Sequence, residues 1–129
     1  MRSLARSPAD TARRATVVVV DDDADLREAL QFLLEVEGFT VATCDSGEAL
    51  LELDLPDGQA CLVLDYHLGG MSGMDALENL RGRGVELPAI MITSDPSSTL
   101  RARAKRWGAR MVEKPLLGDT LIGAIRALV

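Results

Sequence analysis

The stretch VVVVDDDADLREAL, residues 17–30, decides the fold. Four valines run straight into Asp21, Asp22 and Asp23, and a helical pattern starts directly behind them. A β-branched run without polar alternation is a strand buried on both faces. Carboxylates gathered at its exit repel one another. At about 5 Å and an effective dielectric near 20, one pair costs roughly 3 kcal/mol. A chain that keeps such a cluster needs something at that place to offset it.

Outward from this stretch the same alternation repeats. TVVVV (16–20) is the first strand, and residues 23–38 form a helix with Leu26, Leu30, Leu33 and Leu34 on one face and Gly38 as its stop. FTVAT (39–43) is a second strand, and Ser46 caps a helix over 47–54. ACLVL (60–64) is another fully buried strand, and a loop opened by Gly69 and Gly70 leads to a helix over 73–81. PAIMIT (88–93), a helix from about 97 to 107, RMVE (110–113) and a last helix over 118–128 complete five β-α units. Such alternation implies an α/β fold, a doubly wound parallel sheet of five strands with helices on both faces. The expected strand order is 2-1-3-4-5, in one domain over residues 16–129. Residues 1–15, rich in Arg, Ser and Ala, are expected to form a disordered tail, with a mitochondrial presequence as the weighed alternative.

Composition narrows the function classes. The 129 residues are 47% hydrophobic and 26% charged, as in a globular soluble domain, but only 3% aromatic, so Val, Leu, Ile, Ala and Met must build the core. A net charge of −6 disfavours direct nucleic-acid binding, which needs a basic footprint. The exception is local: Arg101, Arg103, Lys105, Arg106 and Arg110 share one decade with no acid. Cys44 and Cys61 fit no metal-ligand spacing and read as small buried hydrophobes in a reducing compartment. The expected strand between them keeps them too far apart for a disulfide. No apolar run approaches membrane-spanning length. Arg13-Arg14 is followed by only four valines and then acids, so no secretory signal is expected.

In a doubly wound sheet, ligands bind where the strands end. The first strand ends in Asp21-Asp22, the third in Asp65 and the fourth in Thr93-Ser94, while the fifth runs into Lys114-Pro115. Three carboxylates, a hydroxyl and an ammonium therefore meet at one edge. Mg2+ favours all-oxygen ligands of this kind, with phosphate oxygens completing its shell. The Lys and Thr suit a phosphoryl group.

Taken together, VVVVDDD, LVLDYHLGGMSG, AIMITS and VEKPL resemble the receiver domain of two-component response regulators over residues 16–129. The resemblance implies that Asp65 accepts a phosphoryl group from a histidine kinase or histidine phosphotransfer protein. It implies Mg2+ bound by Asp22, Asp65 and the backbone carbonyl of His67, with Asp21 acting mainly through water. Thr93 and Lys114 would hold the phosphoryl oxygens, and Lys114-Pro115 would be a cis peptide. Asp23 is left to serve the start of the first helix, where negative charge is favoured. The implied protein is a cytoplasmic signalling domain rather than an enzyme. It would meet a downstream partner or a second copy through the basic 97–107 helix. On that helix Trp107 is expected to pack with Leu100 and Ala104.

Three positions depart from the family pattern. Met111 stands where an aromatic switch residue is usual. The step from Gly108 to Lys114 is one residue short. Gly69, followed by Gly70, replaces the usual proline, so this loop should be less restrained. Two other readings remain. A haloacid-dehalogenase-type Mg2+ phosphatase would need a second Asp at position 67, where His67 stands. A receiver-like scaffold that is never phosphorylated would have no use for the intact set of Asp21, Asp22, Asp65, Thr93 and Lys114.

Overall fold

The computed structural model describes residues 15–56, 58–116 and 118–129. In chain order the elements are β1 (Thr16–Val20), α1 (Ala24–Val36), β2 (Thr40–Cys44), α2 (Gly47–Glu52) and β3 (Ala60–Asp65). They continue with α3 (Gly73–Gly82), β4 (Ala89–Thr93), α4 (Ser98–Arg106), β5 (Ala109–Glu113) and α5 (Gly118–Leu128). The five strands are all parallel, in the order β2-β1-β3-β4-β5. This is the expected doubly wound topology, and every expected element forms within two residues of its expected bounds.

Side-chain alternation along the central strands divides the interior into two layers. Val17 and Val19 face α1 and α5 and pack with Leu30, Leu34, Leu121 and Ile125. Val18 and Val20 face the other helices and pack with Leu50, Leu77, Leu80 and Leu100. Each such side chain contributes roughly 1.5–3 kcal/mol by leaving water. Aliphatic residues and Met74 and Met91 fill this interior almost alone, as the scarcity of aromatics requires. Met71 and Met111 are only half-buried at its margin.

The helix caps follow from local chemistry. The Asp23 carboxylate accepts the Asp25 and Leu26 amides at the start of α1. Ser46, Ser72 and Ser97 accept the amide three residues on at the starts of α2, α3 and α4. Cys44 and Cys61 are buried free thiols, and burial pushes the Cys61 thiol up to about 12, so it is unreactive.

Residues 1–14, most of the expected tail, lie outside the described residues. Ala15 is described and behaves as part of the domain: it is buried, and its carbonyl accepts the Thr40 amide at 3.0 Å. Trp107 packs as expected beside Leu100 and Ala104, although only half-buried. The Arg106 guanidinium lies 5.3 Å from its ring centroid, within cation–π range.

Candidate functional site

The register brings the strand ends level. Val20 lies opposite both Cys44 and Leu64, Asp65 opposite Ile92, and Thr93 opposite Glu113. Asp65 and Thr93, with the residues that follow Val20 and Glu113, therefore emerge side by side at one sheet edge.

Asp21, Asp22 and Asp65 each present a carboxylate oxygen, and these oxygens all lie within 4.8 Å of one another. Asp21 and Asp65 are each 3% exposed, whereas Asp22 faces solvent. The cluster is thus anchored inside and open outside. Lys114 reaches in from the end of β5 and places Nζ 3.0 Å from Asp65 Oδ2. The other Asp65 oxygen accepts the His67 amide at 3.0 Å. Both oxygens of the central carboxylate are therefore held.

Asp21 shows the strain of the arrangement. Burial raises its pKa above the ordinary carboxylate value, and the charges of Asp65 and Asp22 push the same way. The Asp23 amide, donating to Asp21 Oδ1 at 2.9 Å, and the Lys114 ammonium work in the opposite direction. The Arg27 guanidinium steadies the same turn by donating to the Asp21 carbonyl at 2.7 Å. Three carboxylates against one ammonium leave an excess of negative charge. That donor set fits a hard divalent cation bound by oxygen. Among the described residues no hydrogen-bond donor reaches the His67 carbonyl, so it too is available as a ligand.

Thr93 is fully buried at the end of β4. Its Oγ accepts the Asp95 amide at 3.1 Å, and its carbonyl accepts the Lys114 amide at 2.9 Å. The hydroxyl proton remains available to a further acceptor. Lys114-Pro115 is a cis peptide, as the resemblance implies. Behind Asp65 the chain turns sharply into α3, and Gly73 packs against the Asp65 carbonyl so closely that a Cβ there would collide with it. The structure thus brings Asp21, Asp22, Asp65, His67, Thr93 and Lys114 to one edge. Sequence reading missed Arg27, and its position one helical turn behind the acids was the available signal.

The basic decade divides. Arg103 turns back to α3 and pairs with Asp75 at 3.2 Å and Glu78 at 3.0 Å. From α3, Arg81 donates to the Trp107 and Val85 carbonyls, each at 2.9 Å. Arg101, Lys105, Arg106 and Arg110 stay exposed. No helix among the described residues is long and apolar enough to cross a membrane.

Residues 17–126 match the family described as the response regulator receiver domain. The transcriptional regulatory protein FixJ of Azorhizobium caulinodans is 37% identical over 112 residues, which cover 86% of this chain and 53% of FixJ. TdiR of Thauera aromatica, also named a transcriptional regulatory protein, is 32% identical over 91% of this chain and 52% of its own length. The chain therefore spans about half the length of these relatives. Among solved structures, the response regulator StyR superposes with a TM-score of 0.82 at 37% identity, over 89% of this chain and 59% of StyR. The chemotaxis protein CheY4 of Vibrio cholerae, at 23% identity, shares the fold with a TM-score of 0.81 over 90% of this chain and 99% of its own. With the family matched across nearly all of the described chain, this protein belongs to the response regulator receiver domains of two-component signal transduction.

Proposed function

We propose that this chain is a phosphoacceptor that takes a phosphoryl group onto Asp65 from a histidine kinase or histidine phosphotransfer protein. The observation that carries this reading is the Asp65 carboxylate itself: buried, bonded to Lys114 and the His67 amide, and one of three clustered acids. Asp21, Asp22, Asp65 and the His67 carbonyl would hold Mg2+, which when bound supplies positive charge to both the acids and the incoming phosphoryl oxygens.

A carboxylate oxygen of Asp65 attacks phosphorus, forming a P–O bond as the P–N bond to the donor histidine breaks; the electron pair leaves with the imidazole. Negative charge then moves outward from the carboxylate onto the phosphoryl group. Lys114, 3.0 Å from Oδ2, is positioned to follow it. The Thr93 hydroxyl supplies a donor to a phosphoryl oxygen, and the Asp95 amide on its Oγ orients it. The His67 amide keeps Asp65 aimed. In this reading the chain modifies only itself, as a signalling domain rather than an enzyme, and its setting would be the cytoplasm. A downstream partner, or a second copy, would read the exposed cations of α4.

Incubation with Mg2+ and a small acyl phosphate, followed by intact-protein mass measurement, tests this. The expected result is one phosphoryl adduct in the wild type and none in a folded Asp65→Asn variant. An adduct persisting in that variant would place the nucleophile elsewhere. Turnover of an added phosphomonoester would instead favour a phosphatase.

A further inference from the structure

Gly69 and Gly70 give the loop behind Asp65 two adjacent residues with the least intrinsic backbone restraint. Yet this loop must hold its shape. It supplies the His67 amide that fixes Asp65 Oδ1, and the His67 carbonyl belongs to it as well. Part of the restraint is internal, since the Tyr66 carbonyl accepts the Leu68 amide at 3.2 Å and the Gly73 amide at 3.0 Å, and a further contact comes from outside the loop. In the first turn of α2, the Glu48 carboxylate accepts the Met71 amide at 3.3 Å, across 23 residues of sequence.

The two features interlock at Gly70. Its φ of +80° is a conformation that L side chains rarely adopt, and a Cβ there would lie 3.0 Å from Glu48 Oε2. Glycine takes this backbone without strain and leaves the carboxylate its place. The Glu48 side chain is exposed, but the helix start that carries it is fixed, because the Ser46 hydroxyl caps α2 by accepting the Ala49 amide at 3.0 Å. The helix also sits directly on the loop: a Cβ at Gly47 would lie 3.4 Å from Met71 Cβ.

We propose that Glu48 is a positioning residue for the phosphoacceptor loop, supplying from α2 the restraint that Gly69 and Gly70 do not. The inference rests on Asp65 being the acceptor, and it makes α2 part of the apparatus. Glu48 touches neither phosphorus nor any proposed ligand. It acts through the Met71 amide on the loop that aims Asp65 and carries the His67 carbonyl.

The test compares wild type with Glu48→Ala and Glu48→Gln, since Gln keeps an acceptor oxygen at the same reach without the charge. Three quantities are measured: exchange of the Met71 amide in metal-free protein, Mg2+ affinity by calorimetric titration, and the initial rate of phosphorylation by an acyl phosphate. One hydrogen bond to an amide corresponds to about a three- to tenfold change, so Glu48→Ala should speed Met71 exchange and lower affinity and rate by that order. Glu48→Gln should restore most of each loss, with all three thermal midpoints alike. Unchanged Met71 exchange in Glu48→Ala overturns the proposal, because no tether then exists. Equal losses of affinity and rate in the Ala and Gln variants also overturn it, since the effect is then one of charge. A wild type that takes no phosphoryl group would sink the assigned function instead, while Met71 exchange and the Mg2+ titration would still judge the tether.

Discussion

At the carboxyl edge of the sheet, three carboxylates share a few ångströms with one ammonium. Along the seam between α3 and α4, Arg103 meets Asp75 and Glu78, and Arg81 meets two backbone carbonyls. Both regions are rich in charge, yet their physics differ. The edge is unbalanced and partly dry, so its repulsion persists unless a cation offsets it. The seam neutralises itself and calls for no ligand. An excess of like charge held by well-made backbone bonds marks a place built to receive something, whereas matched charge marks a place built to stay closed.

The largest break in this contrast should come from the acids. Asp22→Ala should lower Mg2+ affinity at least about tenfold, roughly 1.4 kcal/mol, in a calorimetric titration. Its metal-free stability should hold or rise, because one source of repulsion is gone. Equal affinity in the two proteins would remove the three acids as the cation site.

Asp21 sharpens the same point through pH. Its folded-state pKa is raised above the ordinary carboxylate value, chiefly by burial. Between the unfolded and the raised folded value, the folded chain therefore binds this proton more tightly than the unfolded chain. Stability contributed by protonated Asp21 is present below that window and is lost as pH rises through it. Urea unfolding of metal-free protein from about pH 3.5 to 7 should show that loss, and Asp21→Asn should flatten it. A steeper fall in the variant would contradict the assignment.

The seam should respond differently to its two arginines. Arg81→Ala leaves two part-buried carbonyls without their donor and should cost about 1–3 kcal/mol in urea unfolding. Arg103→Ala breaks pairs whose side chains are about one-third or more exposed, and should cost about 0.2–1 kcal/mol. High salt should erase most of the Arg103 effect and leave most of the Arg81 effect. The reverse order would show that the seam depends on charge rather than on capped carbonyls.

The smallest effect concerns Met111. It is half-buried and flexible, a poor two-state element. Beryllofluoride should alter amide exchange over residues 94–107, where the Asp95 amide bonds Thr93. Met111→Ala should leave that change largely intact. Its disappearance would make Met111 the switch and α4 only a follower.

Much of this was legible in the chain because it depends on near neighbours. The period of TVVVV and ACLVL gives strands buried on both faces, and the β-α alternation gives the doubly wound sheet. Asp23 is a cap by its place before a helical pattern, and the same holds for Ser46. The site residues could be named because each lies at, or within two residues of, the carboxyl end of a strand, and parallel strands bring such residues to one edge whatever the details of packing.

What the sequence could not convey is set by distant partners. Nothing in the local pattern distinguishes Arg103 from Arg101, yet one turns onto α3 and the other faces water. Arg81 finds the Trp107 carbonyl across 26 residues, and Glu48 finds Met71 across 23. The glycine pair reads locally as a slack loop, yet α2 approaches it and Glu48 accepts the Met71 amide. Sequence alone determined which residues arrive at the sheet edge, because strand periodicity and chain order are local properties. Tertiary structure decided which charges are left unbalanced there and which are cancelled elsewhere, because a Coulomb energy depends on distance through space and not along the chain.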